Sequence, residues 1–372
     1  MNNKKIKVLL VSPYNAKRVG GIGTWSKSIL DYFEDSERFE IVFQNTYNAL
    51  KGNLQSNRMR RILVGIEDTA LILVKLFFNL LIKNPSVVHY TSSASLALMK
   101  DRMAFFIAKI IFGKRFVIHW HFGRIPEICQ NKDKEYEKLM RVVHKADANI
   151  VLDEKSLHSL QNEGIKHVSY IPNPMTSAIY DATKDTDIIA SNVRRSEGEV
   201  LFVGHVIATK GIFELVRCCV DCVEVKKLIL VGPVLPDVKE QILQLSKKRN
   251  AGEWLEIKGE LSREDVYSYY RTCSLFCLPS YTEGFPYVIL EAMAFGCPIV
   301  ATDVGAIAEM LQDKSGMVIS PRDEVALAEA LRTMLLNKTM RDNMGLNAYN
   351  RVMSVYAHNV IFKQYESLWK EK

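Results

Sequence analysis

Twelve short apolar runs alternate with helical stretches in two series of six, and this alternation constrains the fold more than any other feature of the chain. The first series reads IKVLLVSP, FEIVFQ, SVVHYTS, FVIHWH, ANIVLD and HVSYIPN, with helices between them beginning near Thr24, Arg60, Ser95, Asp133 and Glu154. The second reads EVLFVGH, KLILVGP, WLEIKGE, LFCLPS, PIVAT and GMVI, again separated by helices. Runs this uniformly apolar belong to strands covered on both faces, which is the work of helical crossovers between parallel strands. The expected fold class is α/β, with two doubly wound Rossmann-like domains facing a central cleft. At about 150 residues per domain, 372 residues make two. The first is placed over 1–172 and the second over 199–353, with a linker rich in Pro, Asn, Asp and Ser over 173–198 and a terminal helix over 354–372. Ligands of such sheets bind at the carboxyl ends of the strands.

The stretch EGFPYVILEAMAFGCPIVATDVG, 283–305, is the densest candidate site. Pro286 suits the first position of a helix of about ten residues that Gly296 and Pro298 close after Phe295. Following Gly284 and Phe285, the first-turn amides of Tyr287, Val288 and Ile289 lack intrahelical partners at the positive end of a helix dipole, a ready place for a diphosphate. Glu283 precedes the turn and Glu291 follows in the second turn. That spacing suits gripping two hydroxyl-bearing parts of one ligand, although two glutamates alone would read as solvated charges. Upstream, FVGHVIATKG sets Lys210 at a helix start, where a point charge can neutralise a diphosphate. Gly20, Gly21 and Gly23 follow the first strand and let backbone approach a ligand, or simply make a tight turn. His119 and His121 end a strand on the same side, as metal ligands lacking an evident third partner or as packing residues.

With KG at Lys210–Gly211 and LPSYTEGFP leading in, the 283–305 motif resembles the retaining family-4 glycosyltransferases of GT-B fold, over most of the chain and most strongly from 200 to 320. The resemblance implies that Glu283 sits by the donor sugar and Glu291 binds the ribose hydroxyls. It implies a glycine-rich loop around Gly21 bordering the cleft, and His121 near the donor sugar with His119 as its neighbour. Phe122 stands where a Gly is frequent. Lys210 and His205 fall where relatives grip the diphosphate, and Lys258 and Gly259 where they face the nucleobase. Relatives usually have Arg at the position of His205, and an imidazole offers less charge and a more pH-sensitive grip than a guanidinium. The terminal helix is implied to cross back to the first domain. No cofactor and no metal are expected: the nucleoside-diphosphate-sugar is a substrate, and no Asp-x-Asp motif stands where it would hold a metal on the diphosphate, although Asp303 is available.

The net charge of +7 is concentrated at one end, with eleven Lys or Arg against five Asp or Glu in residues 1–61. Such asymmetry suits an anionic membrane surface or an anionic substrate; nucleic acid is set aside because zinc-finger, helix-turn-helix and RNA-binding aromatic signals are missing. Seven cysteines, an odd number, behind a start unlike a signal peptide point to buried thiols in a reducing cytoplasm. In RMRRILVGIEDTALILVKLFFNLLIKN, Glu67, Asp68 and Lys75 interrupt the apolar residues before they could span a bilayer. A buried helix of the first domain and an interfacial helix with Arg58, Arg60 and Arg61 on lipid headgroups both fit.

The expected function is retaining hexosyl transfer from a nucleoside-diphosphate-sugar to a hydroxyl of a lipid-linked or polysaccharide acceptor. It would serve cell-surface polysaccharide biosynthesis, with the enzyme peripheral on the inner face of the plasma membrane. The alternatives are a non-catalytic nucleotide-sugar- or membrane-binding subunit, and a sugar-nucleotide epimerase or phosphorylase of the same fold.

Overall fold

The computed structural model describes residues 5–15, 20–47, 58–93, 97–184, 195–249 and 253–371, the side chains of 58–62 excepted. The chain divides into two compact units, Met1–Pro174 with His358–Lys372, and Met175–Ala357. Each is built on a six-stranded parallel sheet. In the first, β1 (Ile6–Ser12), β2 (Phe39–Asn45), β3 (Val87–Ser92), β4 (Arg115–Trp120), β5 (Ala148–Val151) and β6 (Val168–Tyr170) lie in the order β2-β1-β3-β4-β5-β6. In the second, β7 (Glu199–Val203), β8 (Lys227–Val231), β9 (Leu255–Gly259), β10 (Leu275–Leu278), β11 (Ile299–Thr302) and β12 (Met317–Ile319) lie in the order β12-β11-β10-β7-β8-β9. Every expected strand forms. The inner strands β3 and β10 are buried at each residue, as uniformly apolar runs under helices on both faces require.

Strand order reverses direction between β1 and β3 in the first unit and between β7 and β10 in the second. Loops leaving such a pair diverge to opposite faces of the sheet and open a crevice at the strands' carboxyl ends. The loop after β7 carries His205 and Lys210, and the loop after β10 carries Glu283.

Several local expectations differ from the structure. The first helix runs Gly21–Phe33 and so begins before Thr24; Gly20 is its cap, and the glycines form the first helical turn. The start expected near Ser95 lies outside the described residues, and the helix is described over Leu98–Phe105. A helix Ile125–Asn131 follows β4, with Pro126 pre-setting its first turn. The segment 173–198, read as linker, holds a helix Ser177–Thr183 belonging to the second unit. Thr176 accepts the amide of Ile179 at 3.2 Å and Thr183 donates to Ile179 O at 2.8 Å, so polar residues that suggested a linker serve as caps and turn bonds. The rest of that segment, 185–194, lies outside the described residues.

The last helix, His358–Lys370, packs in the first unit. Trp369 stands 5.0 Å from Phe33 and 5.4 Å from Phe39 between ring centroids, and Phe362 stands 5.8 Å from Phe33. No helix among the described residues is long and apolar enough to cross a membrane. All seven cysteines are buried thiols.

Arg195 ties down the helices of the second unit that matter most below. Its guanidinium donates to Tyr270 O, Arg271 O and Cys273 O at the end of the Arg263–Thr272 helix, and to Phe295 O and Gly296 O at the end of the Tyr287–Ala294 helix, at 2.8 to 3.3 Å. A planar fork satisfies the orphan carbonyls of two helices at once, at the negative ends of their dipoles. Arg195→Ala is expected to cost about 3 kcal/mol of stability, and Arg195→Lys to restore only part, because one ammonium cannot reach both ends. Urea unfolding checks this; an Arg195→Ala midpoint equal to wild type would refute it.

Candidate functional site

The second unit builds its site from three loops pressed together at the β7/β10 reversal. Past β7 a short turn, Ala208–Lys210, runs into Gly211, which caps the helix Ile212–Asp221 at a φ of +68°. A Cβ on Gly211 would lie 2.0 Å from Pro279 O, so only glycine lets the two loops touch. Tyr281 N–H then donates to Thr209 O at 2.9 Å. On the other side Gly305, at a φ of +55°, has no room for a Cβ, which would fall 2.3 Å from Gly284 O and 2.5 Å from Glu283 O.

These approaches put Lys210 Nζ 2.6 Å from Glu283 Oε1. Ser280 Oγ donates to the same oxygen at 2.7 Å, and Thr302 Oγ1 holds the carbonyl of Ser280 at 2.6 Å. Glu283 is therefore no solvated loop charge: both bonds converge on Oε1, fixing the carboxylate and the ammonium in one place. His205 stands exposed on the same loop as Lys210.

The helix after Glu283 is shorter than expected, Tyr287–Ala294, with Pro286 as the extended residue before it rather than its first member. The amide of Ile289 donates to Pro286 O at 3.1 Å, so of the three first-turn amides expected to meet a diphosphate, that of Ile289 is already engaged. Gly284 spends its carbonyl on Ala306 N–H at 2.9 Å, and Phe285 is buried with its ring 5.6 Å from Tyr356, a packing position. Lys258 is engaged as well, its Nζ 2.7 Å from Glu256 Oε2, a carboxylate shared with Lys227. Lys258 and Gly259 end the edge strand β9, two strands from β7.

Glu291 lies one turn into the helix and accepts the Tyr270 hydroxyl at 3.2 Å. Burial pushes its carboxyl up to about 7, against the opposing pull of Tyr270 and of the Arg263 charge. A carboxylate held back from ionising by desolvation gains most from ligand hydroxyls that donate to it.

The first unit assembles a different group. His119 and His121 stack with centroids 3.9 Å apart, and the structure adds His89 from β3. Trp369 Nε1–H donates to His89 Nδ1 at 3.1 Å, so neutral His89 carries its proton on Nε2, facing His119 Nδ1 at 3.4 Å. Trp25 covers all three imidazoles, with Tyr365 beside His89 and His119. Burial lowers His89 and His121 to about 3 and His119 well below its ordinary value, so the cluster is neutral near pH 7. His119 is fully buried and packs behind His121; the Nε2 atoms of both are buried without a hydrogen-bond partner among the described residues. Gly21, exposed, opens the helix that follows β1. Among the described residues no group of three His, Cys, Asp or Glu is arranged to hold a metal ion.

Sequence reasoning missed Ser280, Tyr270, Arg195 and His89. Ser280 had a signal in the Ser-x-x-Glu spacing to Glu283, the pattern of a capping box. The other three reach partners through tertiary contacts and carried none.

Residues 183–351 match the family model of the glycosyl transferases group 1. The chain is 27% identical to the capsular polysaccharide biosynthesis glycosyltransferase CapM of Staphylococcus aureus over 45% of its own length and 44% of that protein. It spans less than half the length of several curated relatives that it matches. Among solved structures it is similar to sucrose-phosphate synthase from Thermosynechococcus elongatus, with a TM-score of 0.75 at 19% identity over 98% of both chains. It is likewise similar to HepE of Anabaena in complex with UDP-glucose, with a TM-score of 0.69 at 17% identity over 97% of this chain and 99% of that one. At these identities the likeness shows a shared fold.

Proposed function

From a chain that belongs to the GT-B glycosyltransferases, with its group 1 domain over residues 183–351, we propose a retaining hexosyltransferase that moves a sugar from a nucleoside-diphosphate-sugar to a hydroxyl of a lipid-linked or polysaccharide acceptor. The observation that carries this reading is the Lys210–Glu283 pair, fixed at 2.6 Å where the strand order reverses, beside the Tyr270–Glu291 bond on the next helix. Lys210 supplies the cation that the departing diphosphate needs as charge develops on it. Glu283, locked through Oε1, accepts a hydroxyl of the donor sugar and fixes the anomeric carbon relative to that cation. Glu291 accepts hydroxyls of the ribose. His205 adds a hydrogen-bond donor at the rim of the same loop, and Val288 N–H a second amide contact. UDP-glucose in HepE and the capsular role of CapM support a nucleotide-sugar donor and surface-polysaccharide biosynthesis.

A thermal-shift screen of nucleosides, nucleoside diphosphates and their sugars tests the site directly on the full chain. Diphosphates of one base should raise the melting temperature more than the nucleoside alone. Lys210→Ala should remove that difference while leaving the nucleoside shift. A diphosphate preference untouched by Lys210→Ala would place the site elsewhere, and turnover of the donor to an epimer without any acceptor would replace transfer by isomerisation.

A further inference from the structure

Cys273 and Cys297 of the second unit form a buried thiol pair that sugar transfer does not use. Their Sγ atoms stand 3.2 Å apart, in hydrogen-bond contact, and neither residue is exposed. The sheet sets this approach. Phe276 of β10 pairs with Ile299 of β11, so Cys273 and Cys297 lie three and two residues before one rung of adjacent parallel strands, whose backbones run about 4.8 Å apart. A disulfide needs its two Cα atoms about 4.4 to 6.8 Å apart, a separation that neighbouring strands supply. Cys273 caps the helix Arg263–Thr272, and Cys297 follows the helix Tyr287–Ala294, its N–H donating to Ala292 O at 2.9 Å. A bond between the two sulfurs would fasten together the helices whose Tyr270 and Glu291 meet at 3.2 Å.

The surroundings divide the pair into two roles. Burial alone would push the Cys297 thiol up, but the bond from Cys273, the Arg195 guanidinium and the Phe276 amide bring it below the ordinary thiol range. Burial and the bond to Cys297 push Cys273 up. Cys297 is thus the sulfur that forms a thiolate, and Cys273 the one that keeps its proton and donates. Arg195 reaches both segments, donating to Cys273 O at 3.1 Å and to Gly296 O at 2.8 Å. Burial raises the other five thiols, Cys129, Cys218, Cys219, Cys222 and Cys277, so none of them offers a comparable nucleophile. We propose that Cys273 and Cys297 are a site of reversible oxidation by hydroperoxides, closing to a disulfide. A small oxidant has a short way in: Ser196 and Glu197, both exposed, follow Arg195, and Ser196 N–H donates to Thr272 O at 2.7 Å beside Cys273. The Cys297 thiolate attacks one oxygen of hydrogen peroxide and the O–O bond breaks. The departing hydroxide takes up the proton Cys297 shed and leaves as water, with Cys297 now a sulfenic acid. Cys273 sulfur then attacks that sulfur, the S–O bond breaks, and the hydroxide leaves as water with the Cys273 proton. Two thiols give up two electrons and one peroxide takes them, yielding one disulfide and two waters. The inference concerns thiol chemistry alone and stands whether or not Glu291 holds a ribose.

Thiol counting on the full chain decides it. Folded protein treated with excess hydrogen peroxide, quenched with catalase and unfolded in the presence of an alkylating agent should show five thiols in place of seven, and seven again after dithiothreitol. The pair should disappear about tenfold faster or more than any other thiol. Cleavage after glutamate, at Glu283 and Glu291, separates the two cysteines, and mass spectrometry should find their fragments joined until reduced. Cys277→Ser should oxidise like wild type, which assigns the bond to Cys273 within the fragment they share. Cys273→Ser should leave no joined fragments and carry Cys297 on to the sulfinic acid, because its sulfenic acid has no second thiol to meet. The wild-type count and the joined fragments decide by themselves if a variant fails to fold. Seven thiols remaining after peroxide, fragments joined through any other cysteine, or loss of all seven thiols at one rate overturns the inference.

Discussion

Glu283→Ala is expected to slow sugar transfer by about ten- to a hundredfold, the worth of one charge-assisted hydrogen bond of roughly 1.5 to 3 kcal/mol. The same substitution should disturb the phosphate grip, because Glu283 Oε1 is what holds Lys210 Nζ in place at 2.6 Å. Without the carboxylate the ammonium is free to swing away from the diphosphate; without the lysine, a part-buried carboxylate loses its cation. The double substitution Lys210→Ala/Glu283→Ala should therefore cost less than the two singles added together, with a coupling of about 1 to 2 kcal/mol in a double-mutant cycle on kcat/KM. Glu283→Gln should keep the bond from Ser280, now 2.7 Å to Oε1, and fall between wild type and alanine. Strict additivity within about 0.5 kcal/mol would mean that the pair does not act as a unit.

UDP, the nucleotide of HepE's complex, should bind about tenfold more tightly at pH 8 than at pH 6, and Glu291→Gln should flatten that dependence while weakening binding at pH 8. Only the ionised carboxylate accepts two ribose hydroxyls, and burial has pushed Glu291 up to about 7. The same shift bears on stability with a definite sign. Between about 4.5 and 7 the folded chain keeps a proton on Glu291 that the unfolded chain has lost, so this group's contribution falls as pH rises through that window and stays low above it. Glu291→Gln should accordingly stabilise the unliganded protein above pH 7, by about 2 kcal/mol, since a part-exposed side chain lies at the lower end of what the shift allows. Isothermal titration at the two pH values and urea unfolding at pH 8 are the measurements. A destabilised Glu291→Gln protein with unchanged pH dependence of UDP binding would remove Glu291 from the nucleotide site.

The parts of this protein legible in the sequence are those encoded locally. Short apolar runs closed by turn residues, such as the LILV after Lys227 that ends at Gly232-Pro233 and the VLFV after Glu199 that ends at Gly204, read as buried strands without knowing their neighbours. Helix ends were less secure, because glycine and threonine serve both turns and first helical turns. Gly21 and Thr176 show how the same residues that suggest a loop can start a helix. The helix Arg58–Lys83 left two readings open for a related reason: periodicity shows which faces are apolar, but not which of two apolar faces the core will cover.

The sequence by itself determined two parallel α/β sheets, the motif around 283–305 and the residue types at its ends, since strand length, apolar runs and helix caps depend on neighbours a few positions away. Only the tertiary structure decided that β10 lies beside β7, and with it that Lys210 meets Glu283 across 73 positions. The same holds for Arg195 capping helices 75 to 101 positions ahead, and for Trp369 fixing the tautomer of His89 from the other end of the chain. Such contacts follow from strand order and from backbones close enough that Gly211 and Gly305 have no room for a Cβ. A single sequence holds no local signal for either, because both are set by which surfaces bury best against each other once the whole unit has closed.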